Sequence, residues 1–155
     1  MAGRIDARLA ELGITLPAPM APVANYVPFV VAGEFVFVSG QLPAHDGRIE
    51  YTGKLEARFT IEEGKAAARL CLMNVLAQLR SALDGDLDRV RQVVRLGGFI
   101  AAHSGFTQHA QVMNGASDLA VQVFGDAGHH ARTTVGVPSL PMDAAVEVEG
   151  IFRVA

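Results

Sequence analysis

The chain of 155 residues contains no tryptophan and a single cysteine, Cys71. One cysteine excludes a disulfide framework within the chain and is typical of a reducing compartment. No stretch approaches the roughly 20 apolar residues that cross a bilayer. Residues 1–6 also lack the apolar core of a signal peptide. We therefore expect a cytoplasmic protein with no membrane partner.

The sequence also lacks a strong excess of either charge. Its net charge is −3 and its basic residues are scattered, whereas a nucleic-acid surface is usually basic. The charge therefore argues against a nucleic-acid partner. Phosphate-binding loops, dinucleotide fingerprints, nucleophile elbows and metal-spaced Cys/His pairs are also missing. We expect neither a cofactor nor a metal.

Half of the residues are hydrophobic, which is enough for a substantial core. Its pattern predicts a single α/β domain over 1–155, with one mixed sheet and two long helices on one face. The apolar run at 36–38 predicts a strand covered on both faces. The predicted order is a helix over 4–12 with an arm to 25, two strands within 27–38, a helix over 61–83, a strand over 90–102, a helix over about 107–124, and strands at 135–137 and 146–148.

Arg132 is the most promising polar residue near a predicted strand. An alternation of period two places Arg132 and Thr134 on one face. A guanidinium beside a hydroxyl is a good receptor for a carboxylate, because its planar fork binds both oxygens. An ordinary salt bridge is the competing interpretation.

Two other polar pairs leave their roles open. Glu147 and Glu149 share one face of the last predicted strand, where they could position a water, hold an arginine or be solvated. His129 and His130 are adjacent, so their side chains should diverge, which argues against joint metal ligation. We expect the two histidines to face solvent or to lie in a capping loop.

Three segments in order resemble the YjgF/Rid family of reactive intermediate deaminases, also known as L-PSP endoribonuclease-like proteins. They are FVSGQLP at 37–43, ARTTV at 131–135 and LPMDAAVEVE at 140–149. The resemblance spans roughly residues 22–153. Residues 1–25, an N-terminal helix and arm, would mark a subgroup with an extension.

The resemblance implies a YjgF-like, chorismate-mutase-like fold that assembles as a homotrimer with sites in clefts between subunits. It implies a cofactor-free hydrolytic deaminase of small 2-imino or enamino acids, or a related small-carboxylate hydrolase. Arg132 would bind the carboxylate of this small anionic ligand, and Glu147 would orient the attacking water. The residues that would line the cleft are Tyr26, Ser39, Asn114 and Thr134.

Two alternatives remain from the sequence. Thr134 stands where the deaminase branch commonly has cysteine, which favours a non-catalytic, ligand-binding or regulatory trimer. An endoribonuclease is the third reading, and it follows only from the historical name of the family. The acidic charge balance counts against it.

Overall fold

The computed structural model describes residues 2–22 and 24–155. Its helices are α1 (Arg4–Glu11), α2 (Ile61–Ala82) and α3 (His109–Phe124). Its strands are β1 (Phe29–Ala32), β2 (Phe35–Gln41), β3 (Ala44–His45), β4 (Arg48–Ile49), β5 (Val90–Ala101), β6 (Ala131–Val137) and β7 (Val146–Val154). Short 3₁₀ turns lie at Leu87–Arg89, Gly125–Gly128 and Pro141–Asp143.

The helices begin and end where the sequence predicts. The hydroxyl of Thr60 caps α2 by accepting a hydrogen bond from the backbone N–H of Glu63 at 3.2 Å. Gly13, with a φ of 68°, follows α1 in a left-handed conformation that glycine adopts without strain. Leu72, Leu76 and Leu79 form one stripe along α2 and are fully buried. Helix α1 joins the same core through two buried side chains, Ile5 and Leu9.

The main sheet has the strand order β1-β2-β7-β5-β6. Its neighbours pair antiparallel, except that β5 and β6 run parallel. A parallel pair needs a crossover connection, and α3 provides it. Helix α3 therefore packs against β5 and β6, while α2 packs against β2 and β7. The fold is the expected mixed α/β sheet with long helices on one face.

The other face of the sheet, here called the open face, carries no helix among the described residues. One copy of the chain covers strand 36–38 on one side, whereas the sequence predicts cover on both. Val36 and Val38 are buried against the helices, but Phe37 is 44% exposed. The long helices both pack on one side, so the apolar side chains that point the other way stay uncovered. The open face therefore exposes a hydrophobic surface.

A small hairpin, β3–β4, follows Pro43. Asp46 and Gly47 form its turn with φ values of 50° and 75°. Positive φ at both central residues is the geometry that two-residue hairpins favour, and Asp-Gly is a usual sequence for it. Within the described part of the chain, no helix is both long enough and apolar enough to cross a membrane.

Candidate functional site

Arg132 lies on the edge strand β6 and points towards α3. Its register partner on β5, Leu96, is fully buried under the helices, so Arg132 shares that side of the sheet. Its Nη1 donates to Asn114 Oδ1 at 2.9 Å and to Ser117 Oγ at 3.0 Å. Its Nη2 donates to the carbonyl of Ala110 at 3.3 Å. Three hydrogen bonds to one helix face thus hold the guanidinium.

The remaining donors of Arg132 suit a carboxylate. A guanidinium has five N–H groups, so three bonds leave one on Nε and one on Nη2. These two lie along one edge, where a carboxylate can accept both. None of the salt bridges among residues 2–22 and 24–155 involves Arg132. Its side chain borders an open cleft of about 620 Å³. Arg132 is therefore a cation with a free bidentate edge.

His130 and Ser117 belong to the same cluster, a position that the sequence analysis assigns to neither of them. His130 Nε2 lies 2.9 Å from Ser117 Oγ, and His130 Nδ1 lies 2.6 Å from the carbonyl oxygen of Gly128. Both histidines lie in the connection between the turn at Gly125–Gly128 and β6, where His129 is exposed and His130 is half-buried. The turn at Gly125–Gly128 explains the difference, because it aims His130 at α3.

Thr134 lies on the same side of β6 as Arg132, next to Gly98 in register. Its hydroxyl oxygen is buried, and no hydrogen-bond partner for it occurs among the described residues. The sulfur of Met113 covers Gly98, and a Cβ there would collide with it. Arg132 thus contacts Asn114 and shares one face of β6 with Thr134.

Glu147 lies on the opposite side of the sheet. Its register partner on β5 is Phe99, three residues from the Leu96 that pairs with Arg132. An odd separation along a regular strand reverses the face. The strand register is uninterrupted between these positions. One copy of the chain therefore separates Arg132 from Glu147 by the thickness of its sheet.

The carboxyl group of Glu147 lies in a cleft of about 240 Å³ beside Tyr26. Gly40 leaves room for it, because a Cβ at that position would lie 2.9 Å from the Glu147 Cδ atom. The N-terminal arm forms one wall, and the Gln78 side chain fixes it by donating to the carbonyl of Met20 at 2.8 Å. The other lining residues are mostly apolar: Ala21, Pro22, Ala24, Pro28, Gln41, Leu42, Pro141 and Met142.

Two causes raise the pKa of Glu147 above its ordinary value. Burial removes water from the carboxylate, and the negative charge of Glu149 adds repulsion. A carboxyl group whose pKa moves towards neutrality exchanges protons more readily at the pH of a cell. Glu147 is therefore suited to take a proton from a water molecule and return it.

Ser39 lies apart from this cleft, despite its place before Gly40. Its hydroxyl donates to the carbonyl of Val27 at 2.8 Å. It borders a separate depression with Arg95 and Glu149, whose side chains are 3.7 Å apart. In one copy of the chain, the six predicted residues thus form two groups. Asn114 and Thr134 lie with Arg132, and Tyr26 lies with Glu147. Ser39 borders a depression next to the second group.

Metal ligands do not cluster at either group. Within the described ranges, three or more His, Cys, Asp or Glu side chains nowhere converge in an arrangement that could hold a metal ion.

Comparison with known proteins finds a matching family and a similar protein. Residues 6–152 match the family described as "YjgF/chorismate mutase-like, putative endoribonuclease". Protein TCP17 of Trypanosoma cruzi is 50% identical over 152 residues, which cover 97% of this chain and 94% of that protein.

Two solved structures extend the likeness to three dimensions. Atu1372 of Agrobacterium tumefaciens, a protein of unknown function, is 44% identical with a TM-score of 0.92, covering 97% of this chain and 92% of that one. TdcF of E. coli with bound serine is 25% identical with a TM-score of 0.63, covering 92% of this chain and 97% of that one. The resemblance inferred from the three sequence segments is confirmed: the chain belongs to the YjgF/Rid family.

Proposed function

We propose that the protein is a cofactor-free hydrolase that deaminates small 2-imino or enamino acids. Arg132 of one subunit binds the substrate carboxylate, and Glu147 of a neighbouring subunit handles the attacking water. The observation that carries the proposal is the pair of incomplete sites. A cation with a free bidentate edge lies on one side of the sheet, and a carboxyl group with a raised pKa lies on the other.

The open face supports an assembly that would bring the two halves together. Val30, Phe37 and Val135 are exposed there, on the same side as Glu147. Val30 and Phe37 are register partners, and adjoining exposed apolar side chains are typical of protein–protein interfaces. A homotrimer, as in the family, would cover this surface and set the edge strand of one subunit against the cleft of the next.

The ligand follows from the chemistry of Arg132. Its Nε and Nη2 donors match the two oxygens of one carboxylate. Asn114 and Ser117 occupy both donors of Nη1, so the free edge has a fixed direction. The related TdcF structure contains serine, a small molecule with a carboxylate. A small 2-imino acid fits this pattern.

The reaction needs little beyond positioning. Glu147 accepts a proton from water while the water oxygen attacks the imine carbon. Glu147 returns this proton to the nitrogen of the carbinolamine, which forms from the protonated imine. The C–N bond then breaks while the hydroxyl group passes its proton to Glu147, so ammonia and the 2-oxo acid leave and Glu147 releases the proton to solvent. Imines already hydrolyse in water, so holding the substrate and the water together supplies most of the acceleration.

A coupled assay tests the proposal. An amino-acid oxidase generates the 2-imino acid in place, and the rate of ammonia release is followed. The wild-type protein should accelerate release, and both Arg132→Ala and Arg132→Lys should lose the effect, because an ammonium lacks the planar fork. Arg91→Ala, at an exposed position of β5, is the control and should keep the activity. No acceleration by the wild-type protein would reject the proposal.

A second candidate is a trimer that binds small carboxylates without turnover. Thr134 favours it, because its buried hydroxyl takes the place beside Arg132 where the deaminase branch commonly has a thiol. Calorimetry with 2-oxobutyrate discriminates: binding that depends on Arg132, without ammonia release, identifies this function. Incubation with single-stranded RNA tests the endoribonuclease reading, and cleavage that Arg132→Ala abolishes would support it.

A further inference from the structure

Ser117 contacts Arg132 directly and His130 does so through Ser117, and neither side chain takes part in the chemical steps of the proposed reaction. Ser117 follows Asn114 by three residues and Ala110 by seven, so all three lie on one face of α3. The Ser117 oxygen accepts from Arg132 Nη1 at 3.0 Å and lies 2.9 Å from His130 Nε2. It therefore joins the arginine to the histidine.

The hydrogen-bond partners determine the tautomer of His130. Its Nδ1 lies 2.6 Å from the carbonyl oxygen of Gly128, and a carbonyl can only accept. Nδ1 must carry the proton, so Nε2 of the neutral ring is an acceptor. The Ser117 hydroxyl then donates to Nε2, which leaves its lone pairs for Arg132. Every bond in this chain of contacts has one donor and one acceptor.

The carbonyl at the end of the chain is itself held in place. A Cβ at Gly128 would lie 2.7 Å from the carbonyl carbon of Ala120 and from the Cα of Val121, so only glycine lets the turn approach α3 this closely. The Gln92 side chain holds the same turn by donating to the carbonyl of Ala127 at 3.2 Å. His130 is thus anchored to the same helix that carries Ser117.

We propose that Ser117 and His130 are positioning residues for Arg132, and this inference rests on the proposed carboxylate-binding function. Asn114 alone would leave one Nη1 donor without a protein partner, and the guanidinium could turn about its terminal bonds. Ser117, oriented by His130, fixes the second donor. The free edge of Nε and Nη2 then faces the ligand before binding, which lowers the entropy lost on association.

Kinetics and binding test this role. His130→Phe keeps a ring but removes the acceptor, and Ser117→Ala removes the bridging hydroxyl. Each should raise KM for the imine and Kd for 2-oxobutyrate about 3- to 10-fold, the size expected for one net hydrogen bond. Because the carboxylate is held equally in ground and transition states, kcat should change by less than about 2-fold.

Two further variants separate positioning from general damage. His130→Gln retains an acceptor near the Nε2 position and should recover part of the lost affinity. His103→Phe changes an exposed histidine that does not line the cleft beside Arg132, and it should leave KM and Kd unchanged. If KM and Kd stay at wild-type values in both His130→Phe and Ser117→Ala while turnover persists, the positioning role is wrong and the proposed function stands.

Nuclear magnetic resonance gives a readout that needs no activity. In protein with ¹⁵N-labelled histidine and arginine, His130 should be the Nδ1–H tautomer, and the Nη1 group of Arg132 should rotate slowly. Rotation should become fast in Ser117→Ala. If the protein neither binds 2-oxobutyrate nor releases ammonia, these signals still decide the inference. An Nε2–H tautomer in the wild type, or equal rotation in both proteins, overturns it.

Discussion

Gly40→Ala should disable the Glu147 carboxyl group without disturbing the fold. Gly40 belongs to β2 and has no positive φ, so the backbone accepts alanine there. The new methyl group would lie 2.9 Å from Glu147 Cδ and 3.1 Å from Cγ, and nearer still to Oε1. Carbon atoms pack at about 3.5–4.0 Å, so the carboxyl group must retreat by roughly 1 Å.

The geometry sets the size of the expected effect. A misplacement of about 1 Å in a reacting group can cost about 100-fold in rate. We therefore expect kcat for ammonia release to fall about 100-fold, which corresponds to about 2.7 kcal/mol. The KM should change little, because in the proposed site Arg132 of the neighbouring subunit binds the substrate carboxylate and the displaced Glu147 does not. The thermal midpoint should stay close to wild type, since the displaced group is the flexible end of a side chain.

Gly105→Ala is the matched control. Gly105 is exposed, and a Cβ there would meet no atom within 4 Å. This variant should keep both activity and stability. Wild-type kcat in Gly40→Ala would refute the reasoning, because the reaction would then tolerate displacement of the Glu147 carboxyl group. A large loss of stability in Gly40→Ala alone would show that the displaced group cannot retreat into the cleft.

Three other variants test the energetics. The pKa of Glu147 is raised, so ionisation of this carboxyl group destabilises the folded state as pH rises through that pKa. Glu147→Gln should therefore have a higher melting temperature than wild type at neutral pH, and the difference should disappear in acid. A difference in melting temperature that does not change with pH would contradict this. Thr134→Val removes a buried hydroxyl without a partner and should stabilise by up to about 1 kcal/mol in urea titrations, whereas destabilisation would reveal a hidden partner. The Asp88 carboxylate caps α1 by accepting hydrogen bonds from the backbone N–H groups of Arg4 and Ile5. Asp88→Ala should therefore lower the free energy of unfolding by about 1 kcal/mol, and Asp88→Asn should lower it by less. Equal losses in the two variants would argue against this capping role.

Local signals were enough to predict most of the fold. Thr60 and Glu63 indicate the start of α2, and Gly13 indicates the end of α1. These signals can be found in the sequence because capping and left-handed termination depend on a few adjacent residues. Strand alternation also places Arg132 beside Thr134, since period two needs no knowledge of the neighbouring strands.

Long-range information decides the rest. Arg132 on β6 and Glu147 on β7 could lie on the same side of the sheet or on opposite sides. The register of each strand with β5, which lies between them, decides which. The exposure of Phe37 likewise depends on both helices choosing one face. Ser117 could have been found from its helical spacing to Asn114. His130 could not, because a 3₁₀ turn and the close approach of a glycine aim it.

Complementation between inactive subunits tests the central claim most directly. Arg132→Ala and Glu147→Gln chains, co-expressed with different affinity tags, are purified as mixed oligomers and assayed for ammonia release. A site built across a subunit boundary needs an intact Arg132 from one chain and an intact Glu147 from the next. In a closed ring of three that contains both chains, one of the three boundaries meets that condition. We predict about a third of wild-type activity in the purified mixed oligomers and almost none in either parent. A mixture as inactive as its parents would contradict the account.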